Sequence, residues 1–111
     1  MPLRTTASLN ISTDTVIWSP RPRDNMVGPG DQIIFETTAD QLVIVFQGET
    51  PFDKPNVAGP PFVYVSTKGT PLILTIRRNI PDLPRSFPFR CGLVSGGVLR
   101  GLENAGDEVK V

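Results

Sequence analysis

Short runs of β-favouring residues, separated by turn signals, make up most of this chain. Residues 62–67 alternate phenylalanine and tyrosine with valine. Residues 72–78 alternate leucine, leucine and isoleucine with isoleucine, threonine and arginine. Both patterns are typical of half-buried strands. The run 42–46 is apolar at every position, which predicts a strand covered on both faces or one at the centre of a sandwich. No window repeats apolar residues at helical spacing, so we expect at most a single helical turn.

Proline and glycine are spread along the chain rather than gathered in a linker, with 12 prolines and 10 glycines among 111 residues. They place a turn signal about every 8 to 12 residues, which favours an antiparallel sandwich or small barrel of seven or eight strands. The length fits a single domain over residues 1–111. We expect residues 1–13 to be a loose N-terminal segment and residues 48–61, which contain four prolines, to form a long irregular loop.

The composition narrows the chemistry that this domain can perform. The chain has no histidine and one cysteine, so Ser–His and Cys–His catalysis, histidine-ligated metal sites and an internal disulfide are excluded. No P-loop or dinucleotide motif is present, and we therefore predict that the protein is not an enzyme. Equal numbers of basic and acidic residues, 11 of each, remove the usual electrostatic argument for binding nucleic acid or a membrane surface.

The N-terminal residues carry no targeting signal that the sequence reveals. Met1–Thr6 lack the apolar stretch of a signal peptide, and no run approaches 18 apolar residues. The chain as written is therefore expected to stay in the cytoplasm. The alternative is a mature periplasmic or secreted form whose export signal has been removed.

Two segments resemble a known family. The sequence Phe87-Pro88-Phe89-Arg90-Cys91 places two aromatic residues four and two positions before the cysteine, and a glycine-containing stretch and a short final strand follow. Upstream, residues 30–35 read Gly-Asp-Gln-Ile-Ile-Phe. Over roughly residues 14–111 the chain resembles the cupredoxins, the plastocyanin- and azurin-like blue-copper proteins. The resemblance implies a cupredoxin-like Greek-key β-sandwich of seven to eight strands.

The copper ligands of that family are missing apart from the cysteine. Blue copper requires two histidines, a cysteine thiolate and a long axial methionine. Carried over by position, Cys91 matches, but the second histidine position holds Val94 and the methionine position holds Leu99. The first histidine position falls among Asp40, Gln41 and Leu42. We therefore predict no metal, no cofactor and no electron transfer, and we expect the aliphatic replacements to plug one end of the sandwich.

Cys91 has two interpretations. In the first it is a small buried apolar side chain, which is the usual role of a free cysteine. In the second it is a reactive thiol that serves a redox or soft-metal (Cu(I)) sensor, with Arg90 as the neighbour available to lower its pKa. The accessibility of the thiol distinguishes the two.

The function that remains is recognition of another macromolecule. Five arginines fall between residues 77 and 100 with a single acid among them, which predicts either an acidic-partner surface or solvated strand edges. We predict a metal-free interaction module whose partner is another protein, acidic in character, rather than a membrane or a nucleic acid. The predicted interaction residues are Arg90, Val94, Val98, Leu99 and Arg100.

Overall fold

Strands dominate the structure, a computed structural model that describes residues 2–53, 60–102 and 106–111. The strands are β1 (Leu3–Asn10), β2 (Thr15–Ser19), β3 (Gln32–Thr37), β4 (Gln41–Phe46), β5 (Phe62–Thr67), β6 (Leu72–Thr75), β7 (Ser86–Ser95), β8 (Val98–Arg100) and β9 (Gly106–Lys110). A 3-10 turn, Pro22–Asp24, follows β2. No helix in these ranges is long and apolar enough to cross a membrane.

The strands form two sheets that pack face to face. One sheet has four strands in the order β2-β1-β3-β6, and the other has five, which begin with β5 at one edge and continue through β4 to β7. Both β8 and β9 pair with β7 on the side opposite β4, so that β9 lies along Ser86–Arg90 and β8 along Leu93–Ser95. All of these strand pairs are antiparallel except β1–β3, which is parallel. The prediction of an all-β sandwich is confirmed.

Period-two alternation directs one face of each strand into the space between the sheets. Aromatic side chains occupy the centre of this core and mostly meet edge to face, with ring centroids 5.6 to 6.5 Å apart. The rings of Phe46 and Phe89 are tilted at 52°, with centroids 5.4 Å apart. Edge-to-face geometry places the positive edge of one ring against the negative face of the next. The aromatic residues in these contacts are Trp18, Phe35, Phe46, Phe52, Tyr64 and Phe89, and Phe87 is also buried in the core.

The N-terminal segment is not loose, contrary to the sequence prediction. Leu3–Asn10 form β1, which pairs with β2 on one side and with β3 on the other. Its inward positions include Thr5 and Ala7, both fully buried, with the hydroxyl of Thr5 donating to the carbonyl of Pro20. These side chains are small or polar, so the strand has a weak hydrophobic signal. With β1 included, the described residues form nine strands rather than seven or eight.

The first part of the proline-rich excursion is attached to the sandwich. Phe52 is fully buried and bridges to Ile76, while the N–H of Asp53 donates to the carbonyl of Thr75 at 2.8 Å. The Thr50 hydroxyl lies 2.9 Å from the hydroxyl of Tyr64. Residues 48–53 therefore extend the edge beside β6. The predicted loop also covers residues 54–59, which lie outside the described part of the chain.

Candidate protein-interaction surface

The outer face of the five-stranded sheet carries apolar side chains where a solvent-facing sheet usually carries polar ones. In β4, Leu42 and Ile44 point into the core and are fully buried, so Val43 and Val45 point outward. The apolar run 42–46 was predicted to be covered on both faces or central in a sandwich. The strand is central in its sheet, but within the described residues no layer packs over its outer face.

The strand register assembles these side chains into one surface. Val43 lies between Val65 and Gly92, and Val45 lies beside Val63, while Val94 of β7 pairs with Leu99 of β8. Directly paired residues share a face of the sheet. We call this surface the outer apolar face. Its members are Val43, Val45, Val63, Val65, Val94, Leu99 and Leu102, of which Val65 is 44% exposed, Leu99 49% and Leu102 41%.

Gly92 makes the outer apolar face continuous between β4 and β8. A Cβ atom built on Gly92 would lie 2.9 Å from Cδ1 of Leu99 and 3.4 Å from Cδ1 of Leu102. The side chains of Leu99 and Leu102 therefore cover Gly92, and any larger residue at this position would displace them. The close approach explains why a glycine occupies the middle of β7, where it would otherwise weaken the strand.

Arg90 supplies a charge at the border of the outer apolar face. Its backbone pairs with Val45, its side chain is exposed, and no acidic group in the described ranges forms an ion pair with it. A groove of about 260 Å³ continues from Arg90 between the end of β4 and the start of β7, where Gly48, Glu49 and Pro88 contribute to its walls. An exposed arginine beside an apolar surface is a frequent composition of protein interfaces.

Two of the five predicted interaction residues lie elsewhere. Ser95 pairs with Val98 and Leu93 with Arg100, and Leu93 points into the core. Val98 and Arg100 therefore occupy the face of the β7–β8 hairpin opposite Leu99. Arg100 also donates from Nε to Oδ1 of Asp14 at 3.2 Å, which directs it towards the β1–β2 connection. The structure brings Arg90, Val94 and Leu99 together and separates Val98 and Arg100 from them.

Two other arginines of the 77–100 segment contact the connection that follows β4. Arg85 forms an ion pair with Glu49, and its guanidinium lies 4.8 Å from the ring centre of Phe87. Arg77 donates from Nε to the carbonyl of Thr50 at 3.2 Å. Both contacts are with the connection after β4, and the ion pair with Glu49 offsets the charge of Arg85.

Cys91 and the positions equivalent to copper ligands do not converge. Cys91 points into the core and is fully buried, whereas Val94 and Leu99 lie on the outer apolar face. β7 continues unbroken through Ser95, and residues three apart on one strand point to opposite faces. The expected apolar plug at one end of the sandwich is therefore wrong. Asp40 instead connects the turn before β4 to the turn between β7 and β8, because its carboxylate accepts a hydrogen bond from the N–H of Gly96 at 2.9 Å.

The environment of Cys91 keeps its sulfur protonated. Burial raises the pKa of the Cys91 thiol to about 12, and the negative charge of nearby Asp107 adds to the effect. The indole N–H of Trp18 partly offsets this rise in pKa, although its geometry falls short of a hydrogen bond. A thiol held in this state is a poor nucleophile and a poor metal ligand at neutral pH.

Asp107 is a structural feature that the sequence analysis did not identify. Its carboxylate is completely buried and accepts hydrogen bonds from Nε of Arg23 at 3.0 Å, Nε of Arg21 at 3.4 Å and the N–H of Glu108 at 2.8 Å. The structure places Asp107 within β9 (Gly106–Lys110). The available signal was alternation, since Asp107, Val109 and Val111 share the inward side.

Comparison with known proteins adds no family to this picture. A scan against protein-family models and searches of curated proteins and of solved structures found no match. Among the residues whose positions are described, no group of three or more cysteine, aspartate or glutamate side chains is arranged to hold a metal ion. The candidate site consists of the outer apolar face and Arg90.

Proposed function

We propose that this chain is a metal-free, cupredoxin-like binding module that recognises another protein through the outer apolar face and Arg90. The observation that carries the proposal is the continuous set of uncovered valine and leucine side chains on a rigid sheet. Exposed apolar surfaces bordered by polar residues mark interaction sites. Arg90 adds selection for an acidic side chain on the partner, since it is exposed and has no ion-pair partner within the described ranges.

The strand connections support the Greek-key part of this proposal. β6 returns to pair with β3, and β7 returns to pair with β4, so each closes a connection that spans three strands and crosses between the sheets. Return of a strand beside one three places earlier is the pattern of the Greek key. The cysteine of the cupredoxin-like segment lies within β7, next to the centre of the sheet.

The burial of Cys91 favours the binding module over the alternative thiol sensor. Sensor cysteines are exposed and have a lowered pKa, because the thiolate is the reactive species and the metal ligand. Cys91 has the opposite properties, being fully buried with its pKa raised to about 12. The outer apolar face, by contrast, is accessible without any rearrangement of the fold.

The test uses the two faces of the β7–β8 hairpin as site and control. Immobilised wild type and the variants Leu99→Asp and Arg90→Gln are compared for capture of proteins from a cell extract, with Val98→Asp and Arg100→Gln as matched controls. We expect Leu99→Asp to abolish capture and Arg90→Gln to weaken it, and the two controls to retain it. Each variant is first shown to unfold cooperatively in urea.

The proposal also predicts how salt affects capture. Because Arg90 acts through its charge, its contribution is expected to diminish as ionic strength rises, whereas the effect of Leu99→Asp persists. If the controls lose the same proteins as Leu99→Asp, or if wild type captures nothing that Leu99→Asp does not, the outer apolar face is not the binding site.

A further inference from the structure

Strand β5 forms an open edge of the five-stranded sheet. One side of β5 pairs with β4 over its full length, from Gln41↔Thr67 to Phe46↔Phe62. On its other side, the described part of the chain supplies no strand partner, and the one further bridge is Thr67 with Thr70 in the adjoining turn. An open edge exposes backbone donors and acceptors that are able to pair with another strand.

The register shows which backbone groups face the open side. Backbone N–H and C=O groups alternate between the two sides of a strand. The N–H of Lys68 donates to the carbonyl of Asp40 at 3.0 Å, so even-numbered residues at this end of β5 face the β4 side. Tyr64 therefore bonds Ile44 across the ladder, and the N–H and C=O groups of Val63 and Val65 point away from the sheet.

The sequence of β5 lacks the features that usually protect an edge. Residues 62–67 contain no charged residue and no proline, and Val63 and Val65 are β-branched residues that favour strand pairing. The same sheet has a protected edge elsewhere. The ladder between β4 and β7 ends at Arg90, and β7 extends beyond it to Ser86 with no partner on that side among the described residues. On this unpaired part of β7, the backbone of Pro88 faces the open side and has no N–H to donate.

We propose that β5 pairs with β5 of a second copy of this chain, in antiparallel orientation about a two-fold axis. Val63 of one copy lies opposite Val65 of the other, and this pair exchanges two backbone hydrogen bonds. The two-fold axis generates a second, identical pair. This arrangement fits a second copy because one strand offers both the donors and the acceptors in a self-complementary order, as an isologous interface requires. The strand is also uncharged, so identical strands approach without repulsion.

Pairing at β5 also joins the outer apolar faces of the two copies. Val63 and Val65 belong to that face, and in the pair they lie beside the same valines of the second copy. The result is one continuous sheet with five strands from each copy. The inference goes beyond the proposed function, because self-association at the edge requires no other protein.

The test measures mass and amide exchange as functions of concentration. We expect sedimentation equilibrium to show a shift from 12.1 kDa towards twice that mass as wild type is raised to millimolar concentration. Over the same range, hydrogen exchange at the amides of Val63 and Val65 should slow. The amides of Ile44 and Gly92, which face Tyr64 and Val43 in the interior of the sheet, should be protected at every concentration and serve as the internal reference.

Two substitutions at Val65 separate edge pairing from other modes of association. Val65→Pro removes an edge donor that β4 does not use. Val65→Lys keeps the donor but places two like charges at diagonal positions of the new ladder. Each should weaken the dimer at least about tenfold. Val98→Lys places the same charge at an exposed valine, 58% accessible, away from the edge and should leave the dimer unchanged.

The results that would contradict pairing at β5 differ from those that would contradict the proposed function. A chain that stays monomeric to millimolar concentration, with exchange at Val63 and Val65 independent of dilution, overturns the pairing. So does a dimer that Leu99→Asp disrupts and Val65→Lys does not, since such a dimer packs through the outer apolar face. If the amides of Val63 and Val65 become protected when a captured protein is bound, but not when the chain alone is concentrated, the edge of β5 binds that protein instead of a second copy. The capture experiment tests Leu99 and Arg90, so its result does not change the conclusions about pairing at β5.

Discussion

The guanidinium of Arg23 holds the buried carboxylate of Asp107, with Nε of the arginine 3.0 Å from Oδ1 of the aspartate. Arg21 approaches the second oxygen at 3.4 Å, and the backbone N–H of Arg23 also donates to Oδ1. The hydrogen bond to Asp107, and then its charge, raises the pKa of Arg23. The pair joins the 3-10 turn after β2 to β9, so it connects an early part of the chain to the last strand.

Replacement of Asp107 by asparagine is expected to destabilise the fold. Asparagine has nearly the same size, but it lacks the charge that two guanidinium groups require and adds N–H groups that face other donors. Loss of these charge-assisted hydrogen bonds should lower the free energy of unfolding by about 1–3 kcal/mol, as measured by urea denaturation. The matched control is Glu108→Gln, whose contact with Lys110 is 3.7 Å and exposed, and which should change stability by less than about 0.5 kcal/mol. Equal effects at the two positions would show that the buried ion pair contributes nothing.

Phe52 is expected to be the anchor of the excursion after β4. Its ring contacts Phe35, Phe46 and Tyr64 at centroid distances of 5.6 to 6.1 Å, and it is fully buried. Phe52→Ala should therefore cost about 3–5 kcal/mol of unfolding free energy, the range for loss of a buried aromatic ring. Ile73→Ala, at an outward position that is 55% exposed, is the control and should cost far less. Similar losses in the two variants would mean that the excursion is not attached through Phe52.

Cys91 is expected to be unreactive in the folded protein. Its sulfur is fully buried, so an alkylating reagent reaches it only when the sandwich opens. The rate of labelling should therefore rise with urea in parallel with the unfolded fraction, and Asp107→Asn should accelerate it by destabilising the fold. Rapid labelling of native wild type would restore the thiol sensor as the better function.

The strands whose inward positions are large and apolar were predictable from the sequence, and the exceptions have physical reasons. β5 was predicted with the bounds that the structure has, because aromatic residues and valine alternate clearly over residues 62–67. The apolar run 42–46 predicted β4, which begins one residue earlier at Gln41. β1 was not predicted, because Thr5 and Ala7 fill its inward positions. β7 extends beyond Cys91 to Ser95, and Gly92 continues the strand beneath Leu99. Only the contact across strands explains a glycine at that position.

The residues of the candidate site could likewise be assigned only in part from the sequence. Val94, Val98 and Leu99 are close in sequence, and composition alone groups them as one apolar surface. The turn at Gly96 and Gly97, both with positive φ, fixes which residues pair across the hairpin. A shift of one residue would exchange the faces of Val98 and Leu99. Membership of the site is therefore a property of the register, which a single sequence does not display.

Alkaline pH should weaken the fold through Cys91. Folding raises the pKa of this thiol from 9.0 to about 12, chiefly because burial penalises the thiolate. The folded state therefore holds the proton more tightly than the unfolded state does. The stabilisation is fully present below pH 9 and is lost as pH rises from 9 towards 12. Within that window the free energy of unfolding should fall by about 1.4 kcal/mol per pH unit.

The contribution of Cys91 to this pH dependence can be isolated by substitution. Cys91→Ala removes the titrating group, so its unfolding free energy should decline less steeply over the same pH window, even though the variant is less stable overall. Tyr64, whose pKa is also raised by burial, titrates with the same sign, and Tyr64→Phe identifies its share. The double variant should show the flattest profile in urea denaturation. If wild type and Cys91→Ala lose stability in parallel above pH 9, the thiol is not held protonated by the fold, and its burial is less complete than the structure shows.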